Sequence, residues 1–122
     1  PMENKFKESV LIEQIMVIGD GKKMPAAIIS PSFLNLKEWC NKNNVTFSSN
    51  GEIIKNPKVL DEFRKVINSY NENFGQWERI KKFELVAEEW TPENKLLTPT
   101  LKLKRKVLAE KYNDLIVKIY AE

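Results

Sequence analysis

Leu97-Thr98-Pro99-Thr100-Leu101-Lys102-Leu103-Lys104-Arg105 joins two different periodicities. From Thr98 to Lys104 the polar residues Thr98, Thr100, Lys102 and Lys104 alternate with Pro99, Leu101 and Leu103. A period of two predicts an extended segment, with hydroxyl and ammonium groups on one face and apolar groups on the other. Beyond it the period lengthens. Leu108, Tyr112, Leu115, Ile116 and Ile119 recur at helical spacing, which predicts an amphipathic helix directly after the motif. A lysine on a short polar strand just ahead of a helix N-terminus is well placed to hold an anion.

Outward from this stretch, the chain reads as alternating strands and helices without repeats or low-complexity linkers. Leu11 to Ile18 is rich in β-branched residues, Gly19-Asp20-Gly21 supplies a tight turn, and Pro25 to Ile29 is a second apolar run. Together they predict a β-hairpin. Ser32 is placed to cap a helix carrying Phe33, Leu36, Trp39 and Cys40, ending near Asn41 to Asn44. Val45 to Lys55 reads as a surface loop turning at Ser48 to Gly51. Asn56-Pro57 then starts a helix whose stripe is Val59, Leu60, Phe63, Val66, Ile67 and Tyr70. Phe74 to Trp77 breaks it, Ile80 to Val86 predicts a third strand, and Glu88 to Asn94 an acidic loop. The expected fold class is α+β, a small sheet of about three strands packed with three or four helices.

At 122 residues the chain is one domain with room for an ordinary core. The absence of histidine excludes Ser-His-Asp and Cys-His chemistry and histidine metal sites. A single cysteine, Cys40, excludes an internal disulfide and a cysteine zinc site, and reads as a packed thiol. No metal site is expected. The net charge of +3 comes from 20 basic residues against 17 acidic ones, which is mostly a solvated surface. Lys102, Lys104, Arg105 and Lys106 are the exception, four cations within five positions. Gly19-Asp20-Gly21-Lys22-Lys23 lacks the spacing of a phosphate loop and reads as a hairpin turn. Trp77 and Trp90 read as core or interface residues, and Glu88, Glu89 and Glu93 as solvated acids rather than cation ligands. No apolar run is long enough to span a membrane and no secretion signal opens the chain, so cytoplasmic residence is the default.

The motif at 97–105 resembles the C-terminal lysine motif of the adenylate-forming, AMP-binding enzymes, in the variant carried by long-chain fatty-acid–CoA ligases. The wider superfamily reads Thr, any residue, Ser or Thr, Gly, Lys, then a hydrophobic residue and a basic helix start. Thr98, Thr100 and Lys102 match, and Leu103 and Arg105 fit. Leu101 stands where most of the superfamily has glycine, and Leu-Thr-Pro-Thr-Leu-Lys is typical of the long-chain branch. Pro1 to Asn4, Ile12 to Asp20, Pro25 to Pro31, Trp39 and Ile80 to Leu85 fit in the same order, so the resemblance covers essentially the whole chain.

The resemblance implies a C-terminal lid, residues 1–122, of a larger ligase whose N-terminal AMP-binding domain and hinge lie outside this chain. It implies Lys102 as the catalytic lysine of acyl-adenylate formation, with Thr98, Thr100, Lys104 and Arg105 as nucleotide or substrate contacts. Loop-shaping threonines without a ligand, and a solvated Lys106, stand beside that reading. ATP with Mg²⁺, coenzyme A and a fatty acid would be bound mainly by the large domain, none of them tightly by this chain. The intact enzyme would be cytoplasmic, its peripheral association with a membrane being open. Two other functions compete: a non-catalytic interaction domain, and a basic nucleic-acid-binding module. The second is disfavoured because no aromatic residues interleave with the cluster at Lys102 to Lys106.

Overall fold

The computed structural model describes residues 2–121. A short helix α1 (Met2–Phe6) leads into the hairpin β1 (Ile12–Ile18) and β2 (Ala26–Pro31). Then come α2 (Phe33–Lys42), α3 (Asn50–Ile53), α4 (Pro57–Asn71), a 3₁₀ turn at Gln76–Glu78, β3 (Lys82–Leu85), α5 (Arg105–Lys111) and α6 (Asn113–Tyr120). The sheet order is β1-β2-β3, antiparallel between β1 and β2 and parallel between β2 and β3. This is the α+β architecture expected from the sequence.

The central strand explains the layering. Every residue of β2 is buried, and alternate side chains enter two different cores. Ala27 and Ile29 join Phe6, Leu36, Phe63 and Ile67 beneath α2 and α4. Ala26 and Ile28 join Trp90, Leu96, Leu97, Leu108 and Ile119 on the opposite side. Truncating a fully buried ring such as Phe63 costs about 3–5 kcal/mol in cores of this kind.

Local chemistry sets the helix boundaries. The Asn56 carboxamide oxygen accepts from the backbone N–H groups of Lys58 (2.8 Å) and Val59 (3.4 Å), and Pro57 occupies the first helical position. At the far end of α4, the buried Asn71 side chain accepts from Ile80 N–H at 3.0 Å and donates to Ile80 O at 2.9 Å. That clamp fixes the approach to β3.

Two expectations need correction. The stretch 45–55 is not wholly a surface loop: Ser49 caps the single turn α3, which drops Ile53 into the core beside Val45. The C-terminal helix is two helices, so six α-helices are described where three or four were expected. They divide at Tyr112 (φ −103°, ψ 23°), ahead of Asn113-Asp114, both weak helix formers. The Tyr112 hydroxyl at this division donates to Glu88 Oε1 at 2.7 Å and accepts from Trp90 Nε1–H at 3.0 Å.

Candidate functional site

The lysine motif is a tight hairpin, not the extended segment its alternation predicts. Leu97 and Leu103 face each other in an antiparallel bridge, and Thr98 N–H donates to Lys102 O at 2.8 Å. Leu101 N–H donates to Thr98 O at 2.8 Å, closing a β-turn with Pro99 at its second position. Leu101 then takes φ +66°, the left-handed residue that completes a three-residue hairpin loop. The alternation survives in another form: Leu97 is buried, Leu103 is half-buried against the same core, and Leu101 is exposed.

The left-handed residue leaves the Lys102 N–H without a cross-strand partner, and the Thr98 hydroxyl accepts it at 3.1 Å. Thr98 Oγ1 also lies 3.2 Å from Thr100 Oγ1. Both threonine hydroxyls are therefore engaged inside the loop. Lys104 N–H donates to Leu96 O at 3.1 Å, and Lys104 O accepts from Leu108 N–H at 2.9 Å, so Lys104 is the junction between the hairpin and α5. α5 is only seven residues long and has no side-chain cap.

Lys102 is exposed, and its ammonium makes no ion pair or hydrogen bond among the described residues. Arg105 differs. Its guanidinium grips the Glu3 carboxylate with both terminal nitrogens, Nη1 donating to Oε2 at 2.9 Å and Nη2 donating to Oε1. The hydrogen bonds it donates to Glu3, partly opposed by desolvation, raise the Arg105 pKa. Glu3 Oε2 also accepts from Val17 N–H at 2.8 Å, which ties α1 to β1 and to the motif. Arg105 thus meets a carboxylate of its own chain.

A groove of about 450 Å³ opens beside Lys102, lined by Glu3, Asn4, Lys7, Gln14, Ile15, Leu101, Lys102, Leu103 and Arg105. Gln14 did not stand out in the sequence; a single glutamine inside a predicted strand carries no signal of its own. A larger depression of about 800 Å³ shares Arg105 and takes in Met2, Met16, Met24 and Trp77, the last of which is 89% exposed. Trp90, by contrast, is core.

The remaining candidates have structural partners. Glu88 receives Lys111 at 2.9 Å and the Tyr112 hydroxyl. Desolvation pushes its carboxyl up, but the hydrogen bonds from Lys111 and Tyr112 and the Lys111 charge prevail and hold it below the usual range. Burial, and secondarily the Glu88 carboxylate, raises the Tyr112 phenol well above its ordinary range. Burial likewise raises the Cys40 thiol, leaving a packed sulfur rather than a thiolate. Lys22 lies over the Tyr120 ring at 5.2 Å, at the end of the β1–β2 turn. Among the described residues no group of three or more His, Cys, Asp or Glu is assembled for a metal ion, and no helix is long and apolar enough to cross a membrane.

Comparison with known proteins agrees with this geometry. The family model for the AMP-binding enzyme C-terminal domain matches residues 1–122. A long-chain-fatty-acid–CoA ligase of Mycobacterium tuberculosis, FadD15, is 31% identical over 120 residues, covering 98% of this chain and 20% of that protein. The peroxisomal long chain acyl-CoA synthetase 7 of Arabidopsis thaliana is 29% identical over 99% of this chain and 18% of its own length. The chain thus spans about a fifth of the relatives it matches. The A-PCP didomain of a carboxylic acid reductase from Segniliparus rugosus, solved in complex with AMP, superposes with a TM-score of 0.74. That alignment is 17% identical and covers 98% of this chain and 15% of the other. The adenylation domain of the carboxylate reductase from Mycobacterium chelonae gives 0.70 at 22% identity, over 99% and 17% of the two chains. With residues 1–122 matched by the family model, and a long-chain-fatty-acid–CoA ligase and a long chain acyl-CoA synthetase among its relatives, the chain belongs to the C-terminal domain family of AMP-binding enzymes.

Proposed function

We propose that this chain is the lid of a long-chain fatty-acid–CoA ligase, working with an N-terminal AMP-binding domain of the same polypeptide, and that Lys102 serves the adenylation step. The fatty-acid carboxylate attacks the α-phosphorus of ATP, forming the acyl-adenylate and expelling pyrophosphate. The coenzyme A thiol then displaces AMP. The first step brings two anions together and builds charge on phosphoryl oxygens. An ammonium beside both relieves the repulsion and stabilises the transition state.

The observation that carries this reading is the unengaged ammonium of Lys102 on a self-bonded hairpin. The loop spends its hydroxyls and amides on itself and leaves a mobile point charge directed away from any partner of its own. Thr98 and Thr100 hold the loop, and Arg105 holds it against Glu3. The described residues offer no ligand cluster for Mg²⁺, which in this reading is held with ATP by the N-terminal domain. For the second step the lid would turn and present another face, as domain alternation requires.

The test is Lys102→Ala in the ligase that carries this domain, with the half-reactions assayed separately. ATP–pyrophosphate exchange should fall a hundredfold or more, about 3 kcal/mol, with thioester formation from supplied acyl-adenylate retained. Full activity in both halves would remove Lys102 from the chemistry.

A further inference from the structure

Four polar residues are buried among the described residues: Gln14, Ser30, Ser32 and Asn71. Three have partners. Ser30 donates to Glu88 O at 2.6 Å, Ser32 caps α2, and Asn71 makes both of its bonds to Ile80. Gln14 is the exception. It is only 7% exposed, and its carboxamide forms no hydrogen bond among the described residues. Its amide atoms are not sealed in the core, and the residue lines the groove beside Lys102, so the amide is open to whatever enters there.

The surroundings define that visitor. β1 places Gln14 on the same face as Met16, which packs in the core under the lysine hairpin. Lys7 and Lys102 line the same groove, and neither makes an ion pair among the described residues. Arg105 is already neutralised by Glu3. Two uncompensated cations and an amide N–H₂ remain, with Leu101 and Leu103 as apolar wall.

We propose that the groove is a phosphoryl-binding subsite, in which the Gln14 amide donates to an anionic oxygen while Lys7 and Lys102 flank a dianion. A carboxylate would leave one cation unanswered. A volume of about 450 Å³ is ample for two linked phosphates. Resting on the reading of Lys102 above, the source is the pyrophosphate expelled in the first step. The phosphates at the nucleotide end of coenzyme A have the same chemistry and are the other source.

The experiment is an amide-resolved NMR titration of the 122-residue chain at fixed ionic strength, with inorganic pyrophosphate and, separately, adenosine 3′,5′-bisphosphate. Pyrophosphate is expected to shift the amides of Lys7, Gln14 and Lys102 ahead of those of Lys22 and Lys23. Gln14→Leu should weaken that binding about tenfold, and Lys7→Ala about threefold. Binding of the bisphosphate alone, with the same sensitivity to the variants, keeps the subsite and assigns it to coenzyme A. No binding of either, or shifts spread over all lysines and indifferent to Gln14→Leu and Lys7→Ala, overturns it. Should Gln14→Leu fail to fold, the exposed Lys7→Glu decides, and it is expected to abolish binding. This readout is independent of the half-reactions, so an inert Lys102 and an empty groove give different results.

Discussion

Arg105 and Glu3, 102 residues apart in sequence, meet in a two-pronged ion pair that ties the first helix of the chain to the lysine motif. The Glu3 side chain is 14% exposed and that of Arg105 57%, so the two partners are not equivalent. Removing Arg105 deletes a half-exposed cation and leaves the Glu3 carboxylate with the Val17 N–H as its donor. Removing Glu3 also strips the Val17 N–H of its acceptor. Glu3→Ala and Arg105→Ala are therefore each expected to cost about 1–2 kcal/mol, measured by urea unfolding. In a double-mutant cycle the two losses should fall short of additive, because they share one contact.

Leu101 holds a left-handed conformation at φ +66° that costs a branched, L-configured residue about 1 kcal/mol. Its side chain is 58% exposed, so little packing opposes a change. Leu101→Gly should stabilise the chain by about 0.5–1 kcal/mol, and Leu101→Val should destabilise it by about 1 kcal/mol. Chemical denaturation of the two variants gives the signs. The same conformation accounts for the glycine that most of the superfamily carries here.

The Glu88–Tyr112–Trp90 network makes stability depend on pH at both extremes. The Glu88 carboxyl is held below its ordinary value of 4.5, so its contribution is present above that pH and is lost as the pH falls through the folded-state value. The Tyr112 phenol is held above its ordinary 10.0, so its contribution is complete below pH 10 and is lost as the pH rises beyond it. Tyr112→Phe leaves the buried Trp90 N–H without its acceptor and should cost about 1–3 kcal/mol. It should also flatten the alkaline limb. Thermal melts from pH 3 to pH 11 measure both effects.

In the proposed division of labour, ATP and the fatty acid are held by the N-terminal domain. Mixed with ATP, Mg²⁺, palmitate and coenzyme A, the isolated chain should form no acyl-CoA, as followed by thiol consumption. Turnover at a normal rate would end the lid proposal.

Much of the fold could be read directly from residue patterns. Asn56-Pro57 and the stripe from Val59 to Tyr70 announce α4, and Gly19-Asp20-Gly21 announces the turn between β1 and β2. Those signals are local and chemically unambiguous. The errors arose where a tertiary contact outvoted local pattern. The Ser49-capped turn carries Ile53 into a core built from distant segments, and the division at Tyr112 coincides with its hydroxyl's bonds to Glu88 and Trp90. Alternation at Thr98 to Lys104 was genuine, but Pro99 and a left-handed Leu101 fold it back on itself. The motif singled out Lys102 as a candidate, and its ammonium makes no ion pair among the described residues. The engagement of Arg105 by Glu3 and the exposure of Gln14 to the groove depend on distant segments meeting, which periodicity does not encode.

The strand with no solvent face has a mechanical consequence. Because β2 is a wall common to both cores, the hairpin bearing Lys102 and the helices α2 and α4 cannot be sheared past one another without opening apolar surface on both sides of the sheet. The two cores and the hairpin are therefore expected to move as one rigid unit. In the proposed rotation, the bend then falls at the domain's attachment and not within the domain.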